Sequence, residues 1–222
     1  NPAKGADWQM KWIDKQKEPQ AFLDWKQQAN ENWKPTFSDL GAPVKAKVKQ
    51  ALMTEQGYIC CYCESRLIKE ESHIEHFRPQ RDPDVDPLDN SNLLCSCQST
   101  LKKGEPRHCG NLKGDWFDAA RLISPLDATC ETRFTFTGDG YIQPAKKGDL
   151  AAKTTIEKLG LNSPKLIRLR QSAIEPFILA EDEELSAQEL QAFVTGYLQQ
   201  SENGEFSAFW TTIRYLFGAY LA

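Results

Sequence analysis

The sequence predicts an α+β protein, mainly helical, with a small β-containing segment embedded between N- and C-terminal helices. Three observations carry this. Apolar residues recur at helical spacing on both sides of the middle of the chain. Six of the seven cysteines and all three histidines fall between Cys60 and Cys109. One stretch, Arg133–Gln143 (RFTFTGDGYIQ), alternates like two strands around Gly138-Asp139-Gly140. With 222 residues, 40% hydrophobic and 26% charged, the chain can bury a real core. Disorder, collagen-like repeat and coiled coil are excluded as overall descriptions. No apolar run reaches the roughly 18–20 residues of a membrane span, and no basic-then-apolar leader is present.

The elements follow in order. Asp7–Lys17 reads as a short helix, with Trp8 and Trp12 at i, i+4 spacing. Pro19 suits the first turn of a second helix reaching about Glu31, with Phe22, Trp25 and Ala29 on one face. Four of the six tryptophans occur by Trp33, which predicts that this arm is anchored on a core or on a partner chain. Pro43 opens a third helix carrying Val44, Val48 and Leu52, and Gly57 ends it. After the hairpin the pattern turns helical again from Asp149. Gly160 caps one helix, Ser163-Pro164 starts the next, and Ser186-Ala187-Gln188-Glu189 matches a capping box. Phe206–Leu221 forms the last helix, with Phe209, Ile213, Leu216/Phe217 and Tyr220 as its buried stripe. The expected organisation is an N-terminal helical arm (1–56), a central cysteine-rich unit with the hairpin (57–145) and a C-terminal helical region (146–222).

The net charge is −4, from 27 basic and 31 acidic residues, and no segment is strongly basic. A polyanionic partner must therefore be held by local patches, by metal or by another protein. A disulfide scaffold would spread its cysteines over the fold, so the clustered set points to metal or catalysis in a reducing cytoplasm.

Three pieces of the cluster carry chemistry. In Cys60-Cys61-Tyr62-Cys63, the first and last thiolates can face one tetrahedral Zn²⁺; Cys61 lacks that spacing. In Ser72-His73-Ile74-Glu75-His76-Phe77-Arg78-Pro79, a short strand puts His73 and Glu75 on one face and His76 on the other. An acid beside a histidine joins a hard oxygen ligand for Mg²⁺ or Mn²⁺ to a base that titrates near neutrality. The third piece is Asn90-Ser91-Asn92-Leu93-Leu94-Cys95-Ser96-Cys97, followed by His108-Cys109-Gly110-Asn111-Leu112-Lys113-Gly114. It adds thiolates that would complete a closed structural site. Asp82, Asp84 and Asp86, interleaved with Pro83 and Pro87, read as a stiff solvated turn.

These motifs resemble the HNH endonucleases with a ββα-metal core, and within them the PtuB family of HNH subunits from Septu-type anti-phage defence, whose relatives also accompany some retrons. The phrases CCYCE, HIEHFRPQ, NLLCSC and HCGNLKGD carry the resemblance, over roughly Trp33 to Arg170. It implies a metal-dependent nuclease in the bacterial cytoplasm. It assigns His76 as general base, Glu75 and Asn111 as ligands of a catalytic Mg²⁺ or Mn²⁺, and Asn92 as the residue that holds the base. Arg78 and Lys113 would contact substrate, and Cys60, Cys63, Cys97 and Cys109 would bind structural zinc. His73, grouped with the substrate-binding residues, stays open between a metal or phosphate contact and a structural hydrogen bond. The implied partners are the nucleic acid substrate, DNA by family default with RNA or tRNA as the alternative, and a PtuA-like ABC/SMC-type ATPase. In a retron setting, reverse transcriptase and multicopy single-stranded DNA would join them.

Two departures bear on these assignments. The acid is Glu where Asp is usual. Eleven residues separate Cys97 from Cys109, and Gly110 intervenes before Asn111, so Cys95 is the substitute for Cys97, and His108 the substitute for Asn111. The intervening loop, with Lys102, Lys103 and Arg107, is either a substrate-facing strip or a solvated connection. A non-catalytic zinc-knuckle binding module and a thiol redox protein are the competing classes. Neither needs Glu75, His76 or Asn111.

Overall fold

The computed structural model describes residues 11–182 and 185–221. Among them are seven α-helices and two small antiparallel sheets, an α+β architecture. In order these are α1 (Gln20–Lys26), α2 (Ala42–Glu55), β1 (Ser72–His76), β2 (Leu93–Cys97), α3 (Cys109–Lys113), β3 (Phe134–Phe136), β4 (Ile142–Pro144), α4 (Leu150–Lys158), α5 (Pro164–Asp182), α6 (Ala187–Leu198) and α7 (Trp210–Phe217). Strands β1 and β2 pair antiparallel, with Ser72 opposite Cys97 and His76 opposite Leu93. The RFTFTGDGYIQ stretch folds as the β3–β4 hairpin, Phe136 opposite Ile142.

The first expected helix does not form in residues 11–17; Asp7–Met10, with Trp8, lie outside the described residues. The chain there takes no helical or strand structure, and its donors find tertiary acceptors. Trp12 N–H donates to Glu131 Oε1 at 2.8 Å, Ile13 N–H to the Pro125 carbonyl at 2.9 Å and Gln16 N–H to Glu55 Oε2 at 3.0 Å. Ile13 is the buried anchor of this segment. Helix α1 stops at Lys26 rather than near Glu31, since Asn30 pairs with Trp33 in an isolated bridge, and Ala29 is exposed. Trp25 is buried and meets the Trp33 ring edge-on, so these two tryptophans do anchor the arm on the chain's own core.

Helix α2 has Pro43 in its first turn and buries Val48 and Leu52. Asp149 caps α4 through the Ala152 amide, and Ser186 and Glu189 form the reciprocal capping box of α6. Helix α7 begins at Trp210, later than expected, because Phe209 takes a left-handed conformation (φ 55°) as its N-cap. Two apolar clusters result. The larger runs from Ile13 through α2, the cysteine-rich segment and the hairpin to Leu166. The smaller joins Ile174 and Phe177 of α5 to Val194 and Leu198 of α6 and to Ile213 and Phe217 of α7. No helix among the described residues is long and apolar enough to cross a membrane.

Two polar contacts fix the hairpin to the helices. Arg170 of α5 is fully buried and donates to the carbonyls of Gly140, at 2.7 Å, and Leu161. Arg133, just before β3, makes a forked pair with Asp149 at 2.7 Å on both arms. Arg170→Met would strand two buried carbonyls, and the urea midpoint should show a loss of about 2 kcal/mol or more. Arg133, with the Ala152 amide, holds the Asp149 carboxyl below its usual range. Its stabilisation is therefore complete above the unfolded value of about 3.9 and is lost as pH falls through the folded value. Between pH 6 and pH 3, Asp149→Asn should lose less stability than the wild type.

Candidate functional site

Four sulfurs meet where α2, β2 and α3 converge. The turn after α2 supplies Cys60 and Cys63; its geometry is set by Cys60 N–H donating to the Ser65 carbonyl and Glu64 N–H to the Cys60 carbonyl. Cys97 ends β2 and Cys109 starts α3. The Sγ atoms of Cys60, Cys63, Cys97 and Cys109 all lie within 4.8 Å of one another, and all four residues are buried. Cys63 and Cys97 sulfurs stand 3.7 Å apart. Tetrahedral Zn²⁺ with Zn–S of about 2.3 Å requires sulfurs about 3.8 Å apart. The donor set therefore fits a closed zinc site. Cys95 is not in the group; burial pushes its thiol up to about 12. Cys61 is also outside it, and burial raises its thiol well above the usual range.

The charge balance points the same way. Burial opposes a thiolate at Cys60, yet hydrogen bonds from Cys109, Cys61, Cys63 and Cys97 hold it well below the ordinary thiol value. Burial raises Cys109 well above it. Four close sulfurs share their protons, and a dication is what allows all four to ionise. His108 Nδ1 stands 3.3 Å from Cys109 Sγ and 3.7 Å from Cys97 Sγ, so this histidine leans on the sulfurs. The long spacing between Cys97 and Cys109 is closed by Gln98, whose Oε1 accepts from His108 N–H and whose amide donates to the Pro106 carbonyl. Sequence reasoning missed Gln98; a polar residue after a strand gives no signal of its own. Lys102, Lys103 and Arg107 of the enclosed loop are exposed.

Next to the sulfurs, β1 presents the carboxylate and histidines. Glu75 is buried. Its Oε1 accepts from the Tyr62 hydroxyl at 3.1 Å and pairs with Lys113 Nζ at 2.8 Å. Its Oε2 faces His73 Nε2 at 3.5 Å. Burial works against the charged form, but the His73 contact and the Lys113 ammonium outweigh it and hold Glu75 below its usual range. Tyr62, between the two knuckle cysteines, was not foreseen as a partner of Glu75.

His76 is buried, with its Nε2 3.0 Å from the Pro87 carbonyl and the Phe37 ring packed edge-on at 4.4 Å. A carbonyl can only accept, so Nε2 carries the proton and Nδ1 holds the free lone pair. Burial lowers the His76 pKa below its usual value.

The remaining predicted residues are not all at this point. The Asn92 amide accepts from Arg78 N–H and donates to the Arg78 carbonyl, both at 2.8 Å, fixing the exit of β1 rather than touching the imidazole. Asn111 donates to the Gln98 carbonyl at 2.9 Å. Lys113 is buried, and beyond Glu75 its ammonium bonds the carbonyls of His76 and Gly114. Arg78 is paired with Asp82 through Nε and Nη2 and lies over the Phe117 ring. In the aspartate run, Asp82 also accepts from Asp84 N–H and Asp86 accepts from Leu88 N–H, as turn-building carboxylates do.

Removal of any sulfur of the cluster should release the metal and unfold its surroundings. Elemental analysis of purified protein should give one zinc per chain for the wild type and for Cys95→Ala. Cys60→Ser and Cys109→Ser should carry less than one zinc, with a lowered Tm. A structural zinc site contributes about 10–16 kcal/mol in small domains, as much as a whole domain's net stability of roughly 5–15 kcal/mol.

No protein-family model matches the chain. A curated relative from Vibrio cholerae serotype O1 biovar El Tor, named "Retron Vc95 putative HNH endonuclease", is 33% identical over 142 residues, spanning 61% of this chain and 67% of the relative. With that identity over two thirds of the relative, the chain belongs to the HNH endonuclease family.

Proposed function

We propose that this protein hydrolyses phosphodiester bonds of nucleic acid at the β1–α3 site, with His76 as general base. The observation that supports this most is the His76–Pro87 hydrogen bond, which fixes the tautomer and leaves Nδ1 able to accept a proton from an attacking water. In this reading β1, β2 and α3 form the ββα-metal core, and the four sulfurs hold its parts together through structural zinc. Glu75 anchors a catalytic divalent cation. When bound, that ion stabilises charge on the phosphate and on the leaving oxygen. Lys113 orients Glu75 from behind and ties it to the His76 backbone. Asn92 holds the turn after His76, which keeps the base on its carbonyl.

The biological setting is inferred from the relative's retron name and from the sequence motifs: an effector of anti-phage defence, controlled by a PtuA-like ATPase. A net charge of −4 fits a nuclease to which a partner presents the substrate. DNA is the expected substrate, and tRNA is the alternative that the assay must include.

The test is cleavage of supercoiled plasmid and of bulk tRNA by the full chain, alone and with its co-expressed genomic neighbours, with Mg²⁺ or Mn²⁺ and with chelator. Cleavage should require the metal and fall by about 10²–10⁴-fold in His76→Ala. Undiminished cleavage by His76→Ala would overturn the assignment of the base.

A further inference from the structure

We infer that the protein nitrogen ligand to the divalent cation of this site is His73, on the same strand as Glu75, and not Asn111 of α3. This rests on the nuclease reading for the cation's purpose, but the evidence for the ligand is geometric. His73 and Glu75 stand at i and i+2 of β1 with Nε2 and Oε2 3.5 Å apart. Two ligands of one cation, each at about 2.1 Å, stand about 3–3.5 Å apart. Oε1 of Glu75 is already taken by Tyr62 and Lys113. Oε2 meets only His73 among the described polar contacts. The second His73 nitrogen, Nδ1, is buried with no hydrogen-bond partner.

Gly110 supplies an independent observation. It is the residue of α3 that faces the pair. A Cβ built there would lie 2.3 Å from Glu75 Oε2 and 2.9 Å from His73 Nε2, with the Glu75 carboxyl carbon at 2.8 Å. Any side chain at this position would displace the carboxylate and the imidazole. Glycine lets the helix backbone close on both, so the position that could project a helix ligand carries none. Asn111, one residue on, is turned to the Gln98 carbonyl, where its amide helps seat the loop that brings Cys109 to Cys97. The imidazole of β1 thus stands where α3 offers nothing.

A cation preference follows. One carboxylate, half neutralised by Lys113, and one imidazole make a weak site for Mg²⁺, which prefers oxygen donors. They make a better one for Mn²⁺ and the later first-row dications.

The experiment uses the full-length zinc-loaded chain and Mn²⁺ as probe. Affinity is read by the loss of the free-ion electron paramagnetic resonance signal, and ligation by pulsed detection of ¹⁴N coupling to Mn²⁺. The wild type should bind Mn²⁺ at least tenfold more tightly than Mg²⁺, measured by competition, and show imidazole coupling. His73→Ala should lose the coupling and about tenfold or more in affinity. Gly110→Ala should also weaken binding, whereas Asn111→Ala and His76→Ala should keep both signals. Zinc content and Tm report whether each variant is folded, and His73→Gln keeps side-chain volume without the imidazole. Coupling that survives in His73→Ala, its disappearance in Asn111→Ala, or no Mn²⁺ binding by the folded wild type would overturn the assignment. Because no step reads cleavage, imidazole-bound Mn²⁺ without nuclease activity would leave this inference standing and sink the nuclease reading. Metal-dependent cleavage with Mn²⁺ binding unchanged in His73→Ala would do the reverse.

Discussion

The four-sulfur cluster is the constraint on which the rest of the structure depends. It gathers chain from three places that otherwise share little regular structure: the turn after α2, the end of β2 and the start of α3. Helix α3 has five residues, too few to be stable by itself. Strands β1 and β2 are five residues each and form a two-stranded sheet, also marginal alone. A metal held by Cys60, Cys63, Cys97 and Cys109 would supply what helix propensity and ladder hydrogen bonds cannot. The cluster also sets where Gly110 falls relative to Glu75, since Gly110 follows Cys109 directly. Its amide donates to Ser96 Oγ on β2, a second tie between helix and strand.

The buried electrostatics follow from that placement. Burying Glu75 is unfavourable unless its charge is met, and Lys113 and Tyr62 meet one of its oxygens. Lys113 is itself buried, which is tolerable because its three protons have three acceptors: Glu75, the His76 carbonyl and the Gly114 carbonyl. Strand β1 and helix α3 are thus locked by a polar network that a single lost partner would leave with an uncompensated charge. The network is complete on one side of Glu75 and open on the other, and the open side faces His73.

Much of this was legible in the residues, and the reasons differ by element. The capping box at Ser186, the Gly-Asp-Gly turn, the β1 strand and the return to helix at Asp149 are local signals, and each was read correctly from a few adjacent residues. The segment before α1 was misread because Trp8 and Trp12 have helical spacing, while the hydrogen bonds that hold residues 12–16 go to Glu131, Pro125 and Glu55, far away in sequence. The start of α7 was misplaced for a related reason: Phe209 in a left-handed conformation breaks an apolar period that looks continuous. At the site, residue types were easier to read than directions. The resemblance put Asn111 and Lys113 in one closing helix, and both lie on α3, but only packing decides that the lysine turns to Glu75 and the asparagine to Gln98.

These directions bear on how a polyanion would be held. The basic residues nearest the site are largely engaged within the protein. Lys113 is buried, Arg78 is paired with Asp82, and Arg81 stands 3.6 Å from Asp115. Each phosphate contact needs a cation free to replace a condensed counterion, and beside His76 the exposed Lys45, over the Phe37 ring, is the one such cation that the described contacts leave without an ion pair. The exposed Lys102, Lys103 and Arg107 lie on the loop that leads from Cys97 to Cys109. If the proposed chemistry takes place at Glu75 and His76, binding energy for nucleic acid has to come from such outlying residues and from a second macromolecule. On the proposed nuclease reading, the charge near the reaction centre supplies few phosphate contacts of its own, which fits presentation of the substrate by a second macromolecule.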